Sequence, residues 1–157
     1  MAKISLPALD PDTVAAVSGT NYPDPLKPRV VGRIKKKLGD ALGLKNFGIN
    51  LTTLKPGAQS ALRHWHAKQD EFVYVMSGEL VLVSDIGEQV LVPGMCAGFP
   101  AGRADGHHLV NRGTHDAVYL EVGDRTPGDS VTYPDDALAA RATPQGWTFT
   151  RKDGTPC

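Results

Sequence analysis

Between residues 30 and 122, apolar and polar positions alternate in short runs that glycine or proline cuts off after a few residues. β-Branched residues fill the runs, and 17 glycines and 12 prolines punctuate the chain. Such runs bounded by turn residues are the pattern of strands. Strands are expected at Val30–Leu38, Phe47–Leu54, Ala61–His66, Glu71–Ser77, Glu79–Ser84, Gln89–Leu91, Met95–Phe99, His107–Asn111 and Ala117–Val122. Turns fall at Gly78, Asp85–Gly87, Pro93–Gly94 and Arg112–Gly113. Connections this short suit hairpins, so the expected fold class is all-β, an antiparallel sandwich or barrel without helical crossovers.

The run "EFVYVMSG" is apolar on both sides. If Glu71 faces the interior, Val73 and Val75 do too, and Phe72, Tyr74 and Met76 face out. A strand apolar on both faces is expected to be covered on both, the outer one by the proline-rich arm or by a second subunit.

At 157 residues the chain is read as one domain, with an extended arm over 1–29, a barrel over 30–123 and a loop-rich tail over 124–157. Pro23, Pro25 and Pro28 exclude a regular helix from the arm, which has room for one short helical turn at Thr13–Val17. In the tail, Pro134 ahead of "DDALAAR" predicts a helical turn at Asp135–Arg141, acidic residues suiting its positive end.

Charge changes the picture by exclusion. The 17 basic and 17 acidic residues balance, so no overall field favours nucleic acid or an anionic membrane. The basic run "RIKKKLGD" reads as a solvated strand or turn. The first twenty residues hold no unbroken apolar stretch of signal-peptide length. With Cys96 and Cys157 the only cysteines, there is no disulfide framework, and a cytoplasmic protein is expected, with Cys96 a small core residue.

Candidate chemistry begins with "RHWHAKQDEF". In a strand His64 and His66 share one face, and Arg63 and Trp65 share the other, where packing is their expected role. A turn at Ala67–Asp70 would return Glu71 beside the two imidazoles. Two histidines two apart also occur on strands that bind nothing. Further on, His107 and His108 open a strand after a Gly/Pro-rich approach, and either could bring a third imidazole from a distant strand. Three imidazoles and a carboxylate suit iron, manganese, zinc, nickel or copper, with positions left open.

These residues fall in a pattern that resembles the cupin superfamily. Its first motif is matched by Gly57, His64, His66, Glu71 and Gly78, and its second by Gly94, Pro100, Gly102, His107 and Asn111. The loop Arg103–Gly106 is longer than the pattern. The tail "WTFTRKDGTPC" resembles the ending of small bacterial cupins labelled sugar-phosphate isomerase-like. The resemblance implies a double-stranded β-helix (jelly-roll) barrel with one divalent transition metal ion, iron, manganese, zinc or nickel, on His64, His66, Glu71 and His107. Its spacing to Asn111 favours His107 over the alternative His108. It implies a homodimer and a small-molecule ligand, with no nucleic acid or membrane partner.

Arg103 and Asp105, in the lengthened loop, are candidate substrate contacts, since loops at a barrel mouth hold substrate groups. Trp147 and Phe149 are expected to anchor the tail. The expected function is metal-dependent isomerase, epimerase or lyase chemistry on a small polar, sugar- or keto-acid-like molecule. A non-haem iron dioxygenase and a non-catalytic binding module are the alternatives, and no general base beyond the four ligands is evident.

Overall fold

The computed structural model describes residues 7–157. Its strands are β1 (Ala16–Ser18), β2 (Arg33–Lys36), β3 (Phe47–Leu54), β4 (Trp65–His66), β5 (Glu71–Ser77), β6 (Leu80–Ser84), β7 (Gly87–Leu91), β8 (Cys96–Phe99), β9 (His108–Val110), β10 (Ala117–Asp124), β11 (Ser130–Thr132), β12 (Leu138–Thr143) and β13 (Gly146–Arg151). They form a six-stranded sheet ordered β1-β2-β3-β10-β5-β8, a four-stranded sheet β13-β12-β11-β4 and a three-stranded sheet β7-β6-β9. Every pairing is antiparallel, and the arrangement is a double-stranded β-helix.

Alternation decides what enters the interior. Val73 lies opposite Glu121 and Ala97, and Tyr74 opposite Leu120 and Cys96. Val73 and Val75 are buried, whereas Phe72, Tyr74 and Met76 remain 40%, 42% and 52% exposed. Leu54, Val75, Leu80, Leu91, Leu109 and Tyr119 make the main core. Each fully buried aliphatic side chain there contributes about 1.5–3 kcal/mol. A second core of Tyr22, Val30, Leu62, Val131, Tyr133 and Leu138 joins the chain's two ends. Among the described residues, no helix is long and apolar enough to cross a membrane.

Several expected elements differ. The arm is not simply extended. Where a helical turn was expected at Thr13–Val17, a 3₁₀ turn spans Pro11–Thr13, with the Asp10 carboxylate accepting from Asp12 N, and β1 follows. A second 3₁₀ helix runs over Asp24–Val30 with Pro28 inside it. Proline's fixed φ suits that geometry even though it excludes an α-helix. The first six residues of the expected arm lie outside the described residues. The described part of the arm adds an edge strand and sends Tyr22 into the second core, and it leaves Phe72, Tyr74 and Met76 open.

The strand expected at Val30–Leu38 shrinks to β2, because Val30 ends the 3₁₀ helix and Leu38 opens α1 (Leu38–Ala41). The strand expected at Ala61–His66 shrinks to β4 plus an isolated pairing at His64. Cys96 is exposed on the outer face, not in the core. The tail is also not loop-rich. In place of a helical turn at Asp135–Arg141 it forms β11, β12 and β13. Alanine-rich "DALAAR" favours a helix locally, but Leu138 and Ala140 bury on one side of β12 between two partner strands, and packing overrides propensity.

Gly78, at the β5–β6 turn, has φ +74, and a Cβ there would lie 2.7 Å from both Ala117 Cα and Asp116 O. Gly94 has φ +93 but open space around it. Gly78→Ala is expected to cost roughly 2–4 kcal/mol, left-handed strain plus overlap, and Gly94→Ala about 1–2 kcal/mol from strain alone. Urea denaturation of the two variants side by side checks this, and equal costs would contradict the packing account.

Candidate metal centre

Backbone pairing assembles the cluster. His107 N–H donates to His64 O at 2.9 Å and His64 N–H to His107 O at 3.2 Å, which sets two residues distant in sequence face to face. Their rings lie 5.1 Å apart between centroids. His66 pairs with Val131 of β11, and its ring is 5.2 Å from that of His64. Glu71 opens β5 between Phe99 and Gly123. Phe99 stacks flat on His107 at 3.5 Å and 2°.

The Nε2 atoms of the three imidazoles converge on the Glu71 carboxylate. His107 lies 2.9 Å from Oε2, His64 3.5 Å from Oε2 and His66 3.5 Å from Oε1. On the far side of each ring, Nδ1 faces an acceptor. His64 donates to Leu62 O at 2.8 Å, His107 to Asp105 O at 3.1 Å and His66 to Asp129 Oδ2 at 2.5 Å. A carbonyl cannot donate, so in His64 and His107 it is Nδ1–H that donates there, and Nε2 is the atom each ring presents to the centre of the cluster. That tethering is what a metal-ligating histidine requires. Ligand atoms of His64, His66 and Glu71 lie within 4.8 Å of one another. This group could hold a metal ion, and its nitrogen and carboxylate donors suit a divalent transition metal.

Electrostatics follow from the same contacts. Burial alone would raise Glu71, but hydrogen bonds with His107, His64 and His66 outweigh it and hold the carboxyl well below its usual range. Burial opposes protonation of His66, yet Glu71 and Asp129 raise it to about 9. Asp129 is itself buried, and its Oδ1 accepts from Lys68 N at 2.7 Å.

The other candidates are distributed differently. His108 donates Nδ1–H to Ala61 O at 2.9 Å and does not join the cluster, and burial pushes it below its ordinary value. Arg63 binds Asp135 through two nitrogens at 2.7 and 2.8 Å, with Asp85 as a further partner. Arg103 and Asp105 line a cavity of about 490 Å³ that reaches His66, Glu71 and His107. The Asp105 carboxylate accepts from Asp85 N at 2.9 Å, and its carbonyl anchors His107. Asn111 is a brace, donating to Leu54 O and His115 O at 2.8 Å.

A second cavity, of about 740 Å³, opens on the same cluster from the β2, β3 and β10 side. Its walls include Arg33, Lys35, Glu121, Tyr133 and Trp147. Trp147 stands edge-on to His66 at 5.8 Å, while Phe149 packs on Tyr22 at 5.6 Å. Sequence reasoning missed Asp129, Tyr133 and the inward side of β2. Alternation within "RIKKK" was the one signal for the last of these, and no local pattern marks Asp129.

Comparison with known proteins fits this geometry. A cupin domain family matches residues 50–123, which contain the whole cluster. A sugar phosphate isomerase of the cupin superfamily from Silicibacter pomeroyi shares 49% identity over 96% of this chain and 96% of its own, with a TM-score of 0.92. The chain belongs to the cupin superfamily. A protein of Acidithiobacillus ferrooxidans, to which sugar phosphate isomerase activity is provisionally ascribed, is 34% identical over 84% of this chain and 83% of its own, at TM-score 0.75. The polyketide cyclase RemF of Streptomyces resistomycificus shares the fold at 21% identity and TM-score 0.62, over 74% and 78% of the two chains. No curated protein matches this cupin.

For the metal-free cupin the two charged partners act with opposite signs. Glu71 sits below its ordinary 4.5, so its contribution is full above that pH and is lost as pH falls through the lower folded value. His66 is raised from 6.5 to about 9, so its contribution is full below 6.5 and is lost as pH rises through 9. Their joint stabilisation is therefore greatest between pH 4.5 and 6.5. Urea unfolding of metal-free protein across this range is expected to show that dependence, flattened in Glu71→Gln.

Proposed function

We propose that this cupin is a metal-dependent enzyme that isomerises, epimerises or cleaves a small polar, sugar- or keto-acid-like molecule. His64, His66, Glu71 and His107 would hold one divalent ion of iron, manganese, zinc or nickel. The observation that carries the reading is the tethering of three imidazoles at Nδ1 with their Nε2 atoms turned to one carboxylate at a cavity floor. The activity named for the Silicibacter pomeroyi relative supports a sugar phosphate as substrate.

When bound, the ion supplies Lewis-acid polarisation of a carbonyl or enediol oxygen. The chain's residues do the rest. Phe99, Tyr133 and Trp147 narrow the space around the imidazoles and limit water. Asp124, also on the cavity wall, is occupied by the amides of Asp70 and Thr126. Glu121 is the other carboxylate on this wall. Lys35 and Asn50 hold its Oε1, whereas Oε2 meets the Tyr119 hydroxyl at 3.3 Å. Glu121 is offered as the group that would move a proton between neighbouring substrate carbons.

Elemental analysis is expected to find about one transition ion per chain, lost in His64→Ala and Glu71→Ala together with activity. Asp129→Asn, which keeps an acceptor for Lys68 N but not for His66 Nδ1, should weaken the metal site about 10- to 100-fold. Iron with substrate-dependent oxygen uptake would favour a dioxygenase instead. Metal-free protein whose ligand binding ignores His64→Ala would favour a binding module.

The outer face of the six-stranded sheet completes the reading. Phe72, Tyr74 and Met76 are exposed there beside Leu120 and Val122, and the described part of the arm lies elsewhere. A broad apolar face of this kind fits an interface between two copies of the chain. Light scattering should give a dimer mass for the wild type and a monomer mass for the Tyr74→Lys, Met76→Lys double variant. An unchanged mass would remove this face from consideration.

A further inference from the structure

The barrel wall built by β2, β3 and β10 carries polar side chains on the cavity side. Register shows which side chains face in. Arg33 stands opposite Leu54 and Lys35 opposite Thr52, while Thr52 and Asn50 stand opposite Tyr119 and Glu121. Leu54, Thr52 and Tyr119 are buried, so Arg33 and Lys35 share the inward side. The charge of Lys35 is matched by Glu121.

Arg33 has no such match. Nη1 donates to Ser60 O at 2.5 Å and Nη2 to Gly19 O at 3.1 Å, and both acceptors are neutral. Among the described residues, no carboxylate lies within ion-pair reach of it. A guanidinium carries five N–H donors, so donors remain. A half-buried cation without a counter-charge is costly unless a ligand brings one. Tyr22 and Tyr133 stack edge-on at 5.8 Å, and Tyr133 lies 5.9 Å from His64 in the same cavity. At about 740 Å³ that cavity is within the usual size for a small-molecule site.

We propose that Arg33 is the anion anchor of this site, holding the phosphate or carboxylate end of a small polyol whose other end reaches the His64–Glu71–His107 cluster. The inference rests on the same cavity being the substrate site and assigns its specificity for an anionic substrate. The planar fork of arginine matches two oxygens of either oxyanion.

Calorimetric titration with inorganic phosphate and, separately, acetate tests it in wild type, Arg33→Met and Arg33→Lys. Wild type should bind at least one of them. Arg33→Met should bind that anion roughly ten- to a hundredfold more weakly, with Arg33→Lys between. The anion bound tells phosphate from carboxylate. Peptide mapping after phenylglyoxal treatment asks the same of the unaltered chain, where bound anion should protect Arg33. The proposal is overturned if wild type binds neither anion, if binding survives Arg33→Met, if it depends on Arg103 instead, or if Arg33 goes unprotected. Metal content of the same samples separates the two readings. Full metal with Arg33-independent binding removes the anchor alone, and an Arg33-dependent site in protein that takes up no metal removes the metalloenzyme alone.

Discussion

A carboxylate drawn into a barrel must find charge or hydrogen-bond partners, since desolvation otherwise drives it to the neutral form. Glu71 finds three imidazoles, and much of the structure serves to bring them there. His107 comes from the edge of β9 by direct backbone pairing with His64, and His66 is set by its pairing with β11. Each ring is then fixed from behind by an acceptor on a different segment: Leu62, Asp105 or Asp129. Because Asp129 immediately precedes β11, the tail that closes the second core also orients a cluster histidine. Site geometry and the docking of the chain's end are therefore one problem of folding.

The sequence made part of this legible because strand alternation is strict. The sides taken by Val73, Val75, Phe72, Tyr74 and Met76 follow from parity alone, and so does the grouping of His64 with His66. The spacing to Asn111 favoured His107 over His108, and of the two it is His107 whose Nε2 lies beside Glu71, at 2.9 Å. Other parts depend on contacts with no local trace. "DALAAR" has helical propensity, and β12 exists because β11 and β13 flank it. Asp129 carries no motif, and its burial is a consequence of tertiary packing. Prolines that exclude an α-helix permitted a 3₁₀ helix at Asp24–Val30, a distinction that hydrophobic pattern does not make.

The basic run "RIKKK" is the most instructive miss, because the usual assignment of faces is inverted there. Ile34 lies opposite Thr53 on the outer side of the sheet, while Arg33 and Lys35 turn inward. The rule that apolar residues face in holds when the interior is dry and the exterior is water. Here the interior is a cavity with a polar wall, and the exterior carries Leu120, Val122 and Phe72. Both departures occur on one sheet, which suggests a common cause: each face is shaped for something other than solvent.

Charge gives that argument its direction. Lys35 and Glu121 cancel each other on the inner wall, and Glu71 is answered by the imidazoles. Arg33 is left over, and a divalent ion among three neutral imidazoles and one carboxylate would add a second positive centre to the same cavity. A neutral sugar would offer oxygens to the ion but no counter-charge to Arg33. A molecule with an oxyanion at one end and a carbonyl or hydroxyl oxygen at the other would satisfy both, and the edge-on phenols of Tyr22 and Tyr133 give its middle an amphipathic surface to lie against. On this view the chemistry is set by the cluster and the choice of substrate by β2, the strand whose sequence looked least like part of a site.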